Sequence, residues 1–277
     1  MQPLFRFAPS PNGYLHVGHA YSALVNQQLA DACGGDVLLR IEDIDQGRAR
    51  PHFIEAIFED LDWLGLTYPQ PARIQSQHFD FYHAQADRLR QQGLLYPCRC
   101  TRRQISAAAL RAQAGYDPDG APLHGREACS CQGTAADAPY ALRLDMAKAL
   151  ALVPDPLLIR SQDETGRVFE RVAQPHLWGD VVLCRKDVPA SYHLAVVLDD
   201  AAQQITHVVR GQDLEAATDL HRLLQALFGL PSPLYTHHRL ITDEDGQKLA
   251  KSKLSKPLRQ WRAEGVTASA IRQSLGF

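Results

Sequence analysis

The order of the first predicted elements is the feature that most constrains the fold. Leu4 to Phe7 reads as a short strand, and His19 to Ala32 reads as a helix that ends at Gly34 and Gly35. Val37 to Ile41 then forms a strand pattern with apolar residues on both faces, as a parallel sheet covered on both sides requires. This opening predicts an α/β domain with a doubly wound parallel sheet, whose ligands bind beyond the carboxyl ends of the strands.

The same alternation continues along the chain. Further predicted elements are helices at Phe53 to Leu64, His78 to Gln92 and Leu214 to Phe228, β structure at Val181 to Leu198, and a last strand at Tyr235 to Ile241. The leucines that recur at helical spacing in the third of these helices are expected to lie in the core.

A change of composition marks an insertion. From Tyr96 to about Tyr140 the hydrophobic periodicity weakens, while Cys, Gly, Pro and Arg accumulate. We therefore divide the chain into a first half of a nucleotide-binding catalytic domain (1–95), an inserted metal-binding module that faces the acceptor (96–140), the remainder of the catalytic domain (141–240), and a lysine loop with a C-terminal helix (241–277).

Length and charge set broad limits. The 277 residues can bury a large core, and the formal net charge of −2 gives no overall attraction to nucleic acid. Any contact with RNA must therefore be local, and the candidates are Arg99, Arg102, Arg103 and Arg111 together with the basic C-terminal residues. The N-terminus has no signal-peptide pattern, so we expect a cytoplasmic protein with no membrane partner. We also expect a monomer.

Two basic segments near opposite ends of the chain indicate phosphate chemistry. The first is His16-Val17-Gly18-His19 and the second is Lys248-Leu249-Ala250-Lys251-Ser252. Imidazoles at a helix N-terminus can approach a phosphate where a glycine removes a side chain. A lysine loop supplies positive charge from the other side, so the pair is suited to attack on an α-phosphate.

The flanking segments extend this pattern. Arg6-Phe7-Ala8-Pro9-Ser10-Pro11-Asn12-Gly13, Arg40-Ile41-Glu42-Asp43-Ile44-Asp45 and Val209-Arg210-Gly211-Gln212-Asp213-Leu214 occur in the order found in class I glutamyl-type aminoacyl-tRNA synthetases. The chain resembles that family over nearly its whole length, with variants of its HIGH and KMSKS signatures. The resemblance implies a Rossmann-like catalytic domain, catalytic roles for His16, His19 and Lys251, and binding of ATP with Mg²⁺ by His16, Gly18, His19, Lys248 and Lys251.

A glutamate pocket is the second implication. Two carboxylates and one ammonium group need two cations and one acceptor, which Arg6, Arg210 and Glu42 can supply. By resemblance the pocket residues are Arg6, Ala8, Ser10, Glu42, Tyr192 and Arg210. The alternative for Glu42 and Asp43 is a structural ion pair with Arg40 or Arg48.

The chain ends about one helix after the lysine loop, which leaves no room for an anticodon-binding domain. In this it is similar to the glutamyl-Q tRNA(Asp) synthetase family. That resemblance implies L-glutamate, ATP and the anticodon loop of tRNA(Asp) as partners, with transfer of glutamate to queuosine at the wobble position. The alternatives are a truncated glutamyl-tRNA synthetase that charges a tRNA 3′ end, a catalytically silent paralogue that binds tRNA or protein, and a nucleotidylyltransferase.

Four cysteines in the insertion suggest a structural zinc site. Cys98, Cys100, Cys129 and Cys131 form two Cys-x-Cys pairs, and four thiolates suffice for tetrahedral zinc. Tyr116 or His124 can replace one late cysteine, and metal-free thiols are the alternative. Cys33 and Cys184 are expected in the core.

Overall fold

The computed structural model describes residues 2–129, 138–241 and 256–277. The strands are β1 (Leu4–Phe7), β2 (Asp36–Ile41), β3 (Arg73–Ile74), β4 (Leu95–Cys98), β5 (Ala141–Leu144), β6 (Leu158–Gln162), β7 (Val168–Val172), β8 (Val182–Cys184), β9 (His207–Gly211) and β10 (Leu234–His238). The helices are α1 (Val17–Cys33), α2 (Pro51–Trp63), α3 (Phe79–Gln91), α4 (Arg102–Ala112), α5 (Met146–Ala151), α6 (Tyr192–Ala202), α7 (Ala217–Phe228), α8 (Leu258–Ala263) and α9 (Ala268–Leu275).

Two groups of parallel strands meet in the middle of the catalytic domain. β1, β2 and β3 are parallel in that order, and β9, β10 and β6 are parallel with β7 added as an antiparallel edge. Thr206, just before β9, ties the groups together: its N–H donates to the Leu4 carbonyl (2.9 Å) and its Oγ1 accepts from the Leu4 N–H (2.7 Å). The strand order reverses between β1 and β9, so a ligand site is expected at their carboxyl ends.

Apolar layers cover both faces of these strands. Val37, Leu39 and Ile41 of β2 belong to one buried cluster, whereas Leu38 packs against another. Side chains alternate across a strand, so the two clusters lie on opposite faces. The predicted α/β class is confirmed, and the strands of these two groups are parallel except for β7.

The first helix has the limits that the sequence indicates. Gly34 ends α1 in the left-handed conformation with φ of 65°, and its N–H bonds to carbonyls of the last turn. A Cβ on Gly35 would lie 2.7 Å from the Pro3 carbonyl oxygen, so the chain needs glycine there to enter β2.

Three sequence predictions are wrong. The segment Val181 to Leu198 holds strand β8 followed by helix α6, which Ser191 caps by accepting from the Leu194 N–H. Every residue of α6 from Leu194 to Asp200 is buried, so the helix shows no amphipathic period. Cys33 is exposed, whereas Cys184 is buried as predicted.

The third error concerns an antiparallel sheet, which the prediction of a purely parallel fold missed. It has the order β4, β5, β8, and Cys98 of β4 pairs with Ala141 of β5. The inserted stretch therefore leaves and rejoins the domain at neighbouring strands. In the part of the chain that the structure describes, we find no helix with the length and apolar character needed to span a bilayer.

Candidate functional site

One open cavity of about 740 Å³ lies at the carboxyl ends of β1 and β9. It brings together nine residues that the sequence analysis singled out: Arg6, Ala8, Ser10, His16, Gly18, His19, Glu42, Tyr192 and Arg210. They come from the strand ends of β1, β2 and β9 and from the first turns of α1 and α6. The predicted residues Lys248, Lys251 and Cys131 lie outside the described residues.

The two histidines of the first signature cap helix α1. His16 Nδ1 accepts from the Gly18 N–H (3.1 Å), and His19 Nδ1 accepts from the His16 N–H (3.2 Å). Because both Nδ1 atoms accept, the proton of each neutral ring lies on Nε2, which remains a donor for a ligand. Burial, together with the neighbouring His16, lowers the pKa of His19 to about 3, so that ring is neutral at pH 7.

Arg6 and Arg40 share one aspartate behind the cavity. Arg6 Nε lies 3.1 Å and Arg40 Nη1 lies 2.7 Å from Asp200 Oδ1. Burial alone would raise the pKa of Asp200, but the two guanidinium groups hold it below its ordinary value. Arg40 also donates twice to Glu42 Oε1 (3.2 and 3.1 Å), which leaves Oε2 of that carboxylate for a ligand. Burial raises the pKa of Glu42 despite Arg40, so a cation in the cavity would favour its ionised form.

The neighbouring Asp199 fixes this layer from behind. Its carboxylate accepts from Arg73 Nε (2.7 Å), Gln75 Nε2 (2.8 Å) and Tyr82 Oη (2.9 Å). Asp199 is fully buried, so these contacts join β3, α3 and α6 beneath the cavity. The sequence analysis gave Asp199 and Asp200 no role.

The sequence analysis gave a structural ion pair as the alternative role of Glu42 and Asp43, and these two carboxylates behave differently. Glu42 does pair with Arg40, and it also lines the cavity. Asp43 instead accepts from the N–H and the hydroxyl of Ser76 (2.8 and 2.6 Å), while Arg48 pairs with Asp45. Asp43 therefore holds the end of β2 to the chain after β3.

Arg210 has a different environment from Arg6. Its guanidinium donates to Thr218 Oγ1 (2.7 Å), His221 Nδ1 (3.2 Å), His237 Nε2 (3.4 Å) and Tyr192 Oη (3.4 Å). The residue is 5% exposed, and no carboxylate of the described residues lies within ion-pair distance of it. All four acceptors are uncharged, so no carboxylate of the described residues pairs with its positive charge at the cavity.

The arginines beside the cavity differ in their counter-charges. Arg6 and Arg40 share Asp200, and Arg40 also pairs with Glu42. Arg210 has no such carboxylate among the described residues, so a carboxylate of a ligand could pair with it.

Thr218, His221 and His237 were missed in the sequence analysis. The first two lie on α7 among its core leucines, and Gln225 continues the same buried face. A polar residue at each of these positions interrupts an otherwise apolar stripe, and that interruption is the signal that could have identified them.

Both flanks of the lysine segment lie at the cavity. Ile241 lines it on the incoming side. On the outgoing side Pro257 pairs with His16, and the Leu258 N–H donates to the Leu15 carbonyl (2.7 Å). The chain thus leaves and returns to the cavity across residues 242–255.

Three cysteines and one histidine of the insertion converge. The ligand atoms of Cys98, Cys100, His124 and Cys129 all lie within 4.8 Å of one another. Two sulfur pairs are 3.7 and 3.8 Å apart, and Cys98 Sγ lies 3.7 Å from His124 Nε2. A tetrahedral Zn²⁺ with Zn–S bonds of 2.3 Å would separate its sulfurs by about 3.8 Å, so the donor set fits this ion.

The protonation of this cluster also fits a metal. Burial would raise the pKa of the Cys98 thiol, but hydrogen bonds from His124 and Cys100 and the charge of Arg143 lower it to about 5. Metal ligation requires a thiolate. His124 therefore takes the place that the sequence analysis left open, whereas Tyr116 is 72% exposed.

The two basic patches have different surroundings. Arg102, Arg103 and Arg111 of α4 are exposed. At the C-terminus Lys256 pairs with Glu264 and lies over the Trp261 ring, while Arg262 pairs with Glu59. Of the described residues in the two patches, the α4 arginines are thus the better placed to meet a polyanion.

Comparisons with known proteins agree with this geometry. Residues 4–276 match the family described as tRNA synthetases class I (E and Q), catalytic domain. The chain is 43% identical to a glutamyl-Q tRNA(Asp) synthetase of Rhodobacter capsulatus, with 98% of this chain and 99% of that protein covered. It is 38% identical to glutamate–tRNA ligase 2 of Acidiphilium cryptum, with 96% of this chain but 59% of that ligase covered.

A solved structure shares the fold. Glutamate-tRNA synthetase from Elizabethkingia anophelis superposes with a TM-score of 0.70 at 28% identity, over 96% of this chain and 54% of that protein. The chain therefore belongs to the class I tRNA synthetases of the glutamyl and glutaminyl type, a family of aminoacyl-tRNA synthetase-like ligases.

Proposed function

We propose that this protein activates L-glutamate with ATP and transfers the glutamyl group to queuosine at the wobble position of tRNA(Asp). One observation carries the choice of glutamate. Arg210 is a buried arginine with only uncharged partners among the described residues, and it shares a cavity with Arg6, Glu42 and the capping histidines.

Glutamate recognition follows from the charges. Its two carboxylates would meet Arg6 and Arg210, and its ammonium group would meet the free oxygen of Glu42. Tyr192, Ala8 and Ser10 complete the wall on this side of the cavity. Glutamine has one carboxylate fewer than glutamate, so it would leave one of the two arginines without a ligand charge.

ATP would occupy the end of the cavity beside α1. The Nε2–H groups of His16 and His19 are free to donate to its phosphates, and Gly18 lets the phosphates approach the helix N-terminus. In this proposal Lys248 and Lys251 supply positive charge from the lysine loop. Mg²⁺ accompanies ATP as the counter-ion of its phosphates.

The first chemical step forms a mixed anhydride. An α-carboxylate oxygen of glutamate attacks the α-phosphorus of ATP, the bond between the α- and β-phosphates breaks, and pyrophosphate leaves. Charge on the non-bridging α-oxygens grows in the transition state, where His16, His19 and Lys251 stabilise it. No enzyme nucleophile is needed.

The second step transfers the glutamyl group. A hydroxyl oxygen of the acceptor attacks the glutamyl carbonyl, the bond to the adenylate breaks, and AMP leaves while the hydroxyl proton passes to solvent. The names of the Rhodobacter relative and of a Deinococcus radiodurans relative, 38% identical with 86% of it covered, support queuosine as the acceptor.

A second candidate acceptor is the 3′ end of a tRNA. The identity of 38% to an Acidiphilium glutamate–tRNA ligase favours it, although the chain spans only 59% of that protein. Both candidates share the activation step and differ only in the RNA hydroxyl that attacks.

The inserted module would position the RNA. In this proposal Cys98, Cys100, His124 and Cys129 hold a structural Zn²⁺ and the exposed arginines of α4 contact the anticodon stem-loop. When bound, the ion supplies a rigid cross-link between β4 and the loop after α4. A capping box that Thr101 and Gln104 form begins α4 directly after Cys100.

The acceptor test compares three RNAs. Radiolabelled glutamate is supplied with ATP and queuosine-containing tRNA(Asp), the same tRNA(Asp) with guanosine at the wobble position, or tRNA(Glu). The proposal predicts labelling of the first RNA alone. Labelling of tRNA(Glu), or equal labelling of both forms of tRNA(Asp), would refute queuosine as the acceptor.

A further inference from the structure

We propose that His221 and His237 are specificity-determining positioning residues, which orient Arg210 as uncharged acceptors and leave its positive charge for a substrate carboxylate. This inference rests on the proposed function and assigns a cause to its selectivity for glutamate. His193 acts through His221.

The contacts fix the proton positions. An arginine N–H can only donate, so His221 Nδ1 must accept from Arg210 at 3.2 Å. The proton of His221 is then on Nε2, which lies 3.2 Å from His193 Nδ1 and donates to it. His193 packs edge-on against Trp178 with ring centroids 5.2 Å apart. A directed chain thus runs from Arg210 through His221 to His193.

The second histidine meets another edge of the guanidinium. Arg210 Nε donates to His237 Nε2 at 3.4 Å, and Thr218 Oγ1 lies 3.1 Å from the same nitrogen. The guanidinium carbon also lies 5.6 Å from the centre of the Tyr235 ring. Arg210 is thereby held on several sides by groups that carry no charge.

Burial keeps these imidazoles uncharged at neutral pH. Burial first, and then the charge of Arg210, lowers the pKa of His193 to about 4 and that of His237 to about 3. The pKa of His221 is lowered in the same direction for the same reasons. His221 and His237 therefore accept from Arg210 without adding or removing charge, and His193 accepts from His221.

A comparison with Arg6 shows why the uncharged partners of Arg210 matter for binding a substrate carboxylate. Arg6 has Asp200 at 3.1 Å, so much of its charge is already balanced by the protein. A carboxylate in the place of His221 would do the same for Arg210. Arg210 would then already be paired, and the preference of the cavity for glutamate over neutral glutamine would fall.

A matched pair of variants at His221 separates charge from shape. Oδ1 of asparagine or aspartate is the same number of bonds from Cβ as histidine Nδ1, so both variants can accept from Arg210. His221→Asn keeps the acceptor uncharged, and His221→Asp adds one negative charge. The readout is the Kd for L-glutamate and for L-glutamine by isothermal titration calorimetry, with Tm measured for each protein.

The expected results differ between the two variants. His221→Asn should raise the Kd for glutamate by less than about 5-fold, as for the exchange of one neutral hydrogen bond. His221→Asp should raise it by about 30-fold or more and reduce the preference for glutamate over glutamine by about 10-fold or more, because a substrate carboxylate then loses an unpaired charge. Its Tm should be no lower than that of His221→Asn.

A second pair at His237 keeps the test decisive if His221→Asp does not fold. Nε2 of histidine is the same number of bonds from Cβ as Oε1 of glutamate or glutamine. His237→Glu should weaken glutamate binding at least about 10-fold more than His237→Gln does.

Equal losses within both pairs, with the ratio of glutamate to glutamine affinity unchanged, would overturn the inference and leave the histidines a purely structural role. Failure of the proposed function would look different. A wild-type protein that binds glutamate but forms no adenylate would refute the proposed reaction, while the binding measurements would still decide the role of the histidines.

Discussion

Replacement of Arg210 by glutamine should abolish the selectivity for glutamate without destabilising the protein. Arg210 is 5% exposed and makes four hydrogen bonds to uncharged groups, so glutamine retains a donor there while the charge is lost. The cavity then loses the arginine that has no carboxylate partner among the described residues.

The size of the effect follows from the geometry. Opposite charges about 4 Å apart attract by about 4 kcal/mol at an effective dielectric constant of about 20. Removal of one partner of a buried, hydrogen-bonded charge pair costs about 2 to 5 kcal/mol. We therefore expect kcat/KM for glutamate to fall between about 30-fold and about 4000-fold, at about 1.4 kcal/mol for each factor of ten.

Stability should respond differently. A buried charge without a counter-charge lowers the free energy of unfolding, so its removal should leave Tm within about 2 °C of the wild-type value or raise it. The assay is pyrophosphate exchange at a series of glutamate and glutamine concentrations, with Tm measured on the same samples. A Tm lower by about 8 °C or more, or a kcat/KM for glutamate that falls by less than about 5-fold, would refute the reasoning.

Three further predictions test the surroundings of the site. The pKa of His193 is 6.5 in the unfolded chain and about 4 in the folded protein, so the unfolded chain binds more protons between these two pH values. The free energy of unfolding should therefore decrease as pH falls from about 6.5 towards 4, by about 2 kcal/mol at pH 5. A urea titration at pH 7 and pH 5 measures this loss, which should shrink in His193→Gln; an equal loss in both proteins would contradict it. The purified protein should contain one zinc per chain, retained in Cys131→Ser and lost in His124→Ala, as measured by elemental analysis; the reverse pattern would show that four cysteines form the site. Tyr82→Phe should lower the free energy of unfolding by about 1.5 to 3 kcal/mol, because the hydroxyl donates to the buried Asp199 carboxylate at 2.9 Å. A denaturant titration tests this, and a loss below about 0.5 kcal/mol would show that other donors replace the hydroxyl.

Local patterns were sufficient to predict β1, α1 and β2, which carry part of the site. Strand β1 has the predicted limits, and α1 begins and ends within two residues of them because a capping histidine and a glycine pair mark its ends. The carboxyl ends of parallel strands meet at one edge, so residues of β1, β2 and β9 that are far apart in sequence line one cavity.

Elements without a local signal were missed. Helix α6 is buried on all sides, so it has neither a polar face nor a helical period, and its valines favour a strand. The antiparallel sheet joins Leu95 to Leu144, a pairing that no local pattern contains.

The electrostatics of the site also could not be predicted from the sequence. Arg6 and Arg210 are the same residue type, so the sequence alone does not distinguish them. Asp200, which is 194 residues from Arg6, pairs with Arg6 but not with Arg210. That difference gives Arg210 its role in the proposed function, and it depends on how α6 packs beneath β1 and β2. The histidine of the Cys/His cluster is a similar case, since His124 meets Cys98 only after the insertion has folded.

The most direct test of the account is ATP–pyrophosphate exchange by the purified protein without tRNA, with glutamate, glutamine and aspartate in parallel and Lys251→Ala as the control. The account predicts exchange with glutamate alone and its loss in the variant. No exchange with any of the three amino acids, even after tRNA(Asp) is added, would contradict the claim that this cavity forms glutamyl-adenylate.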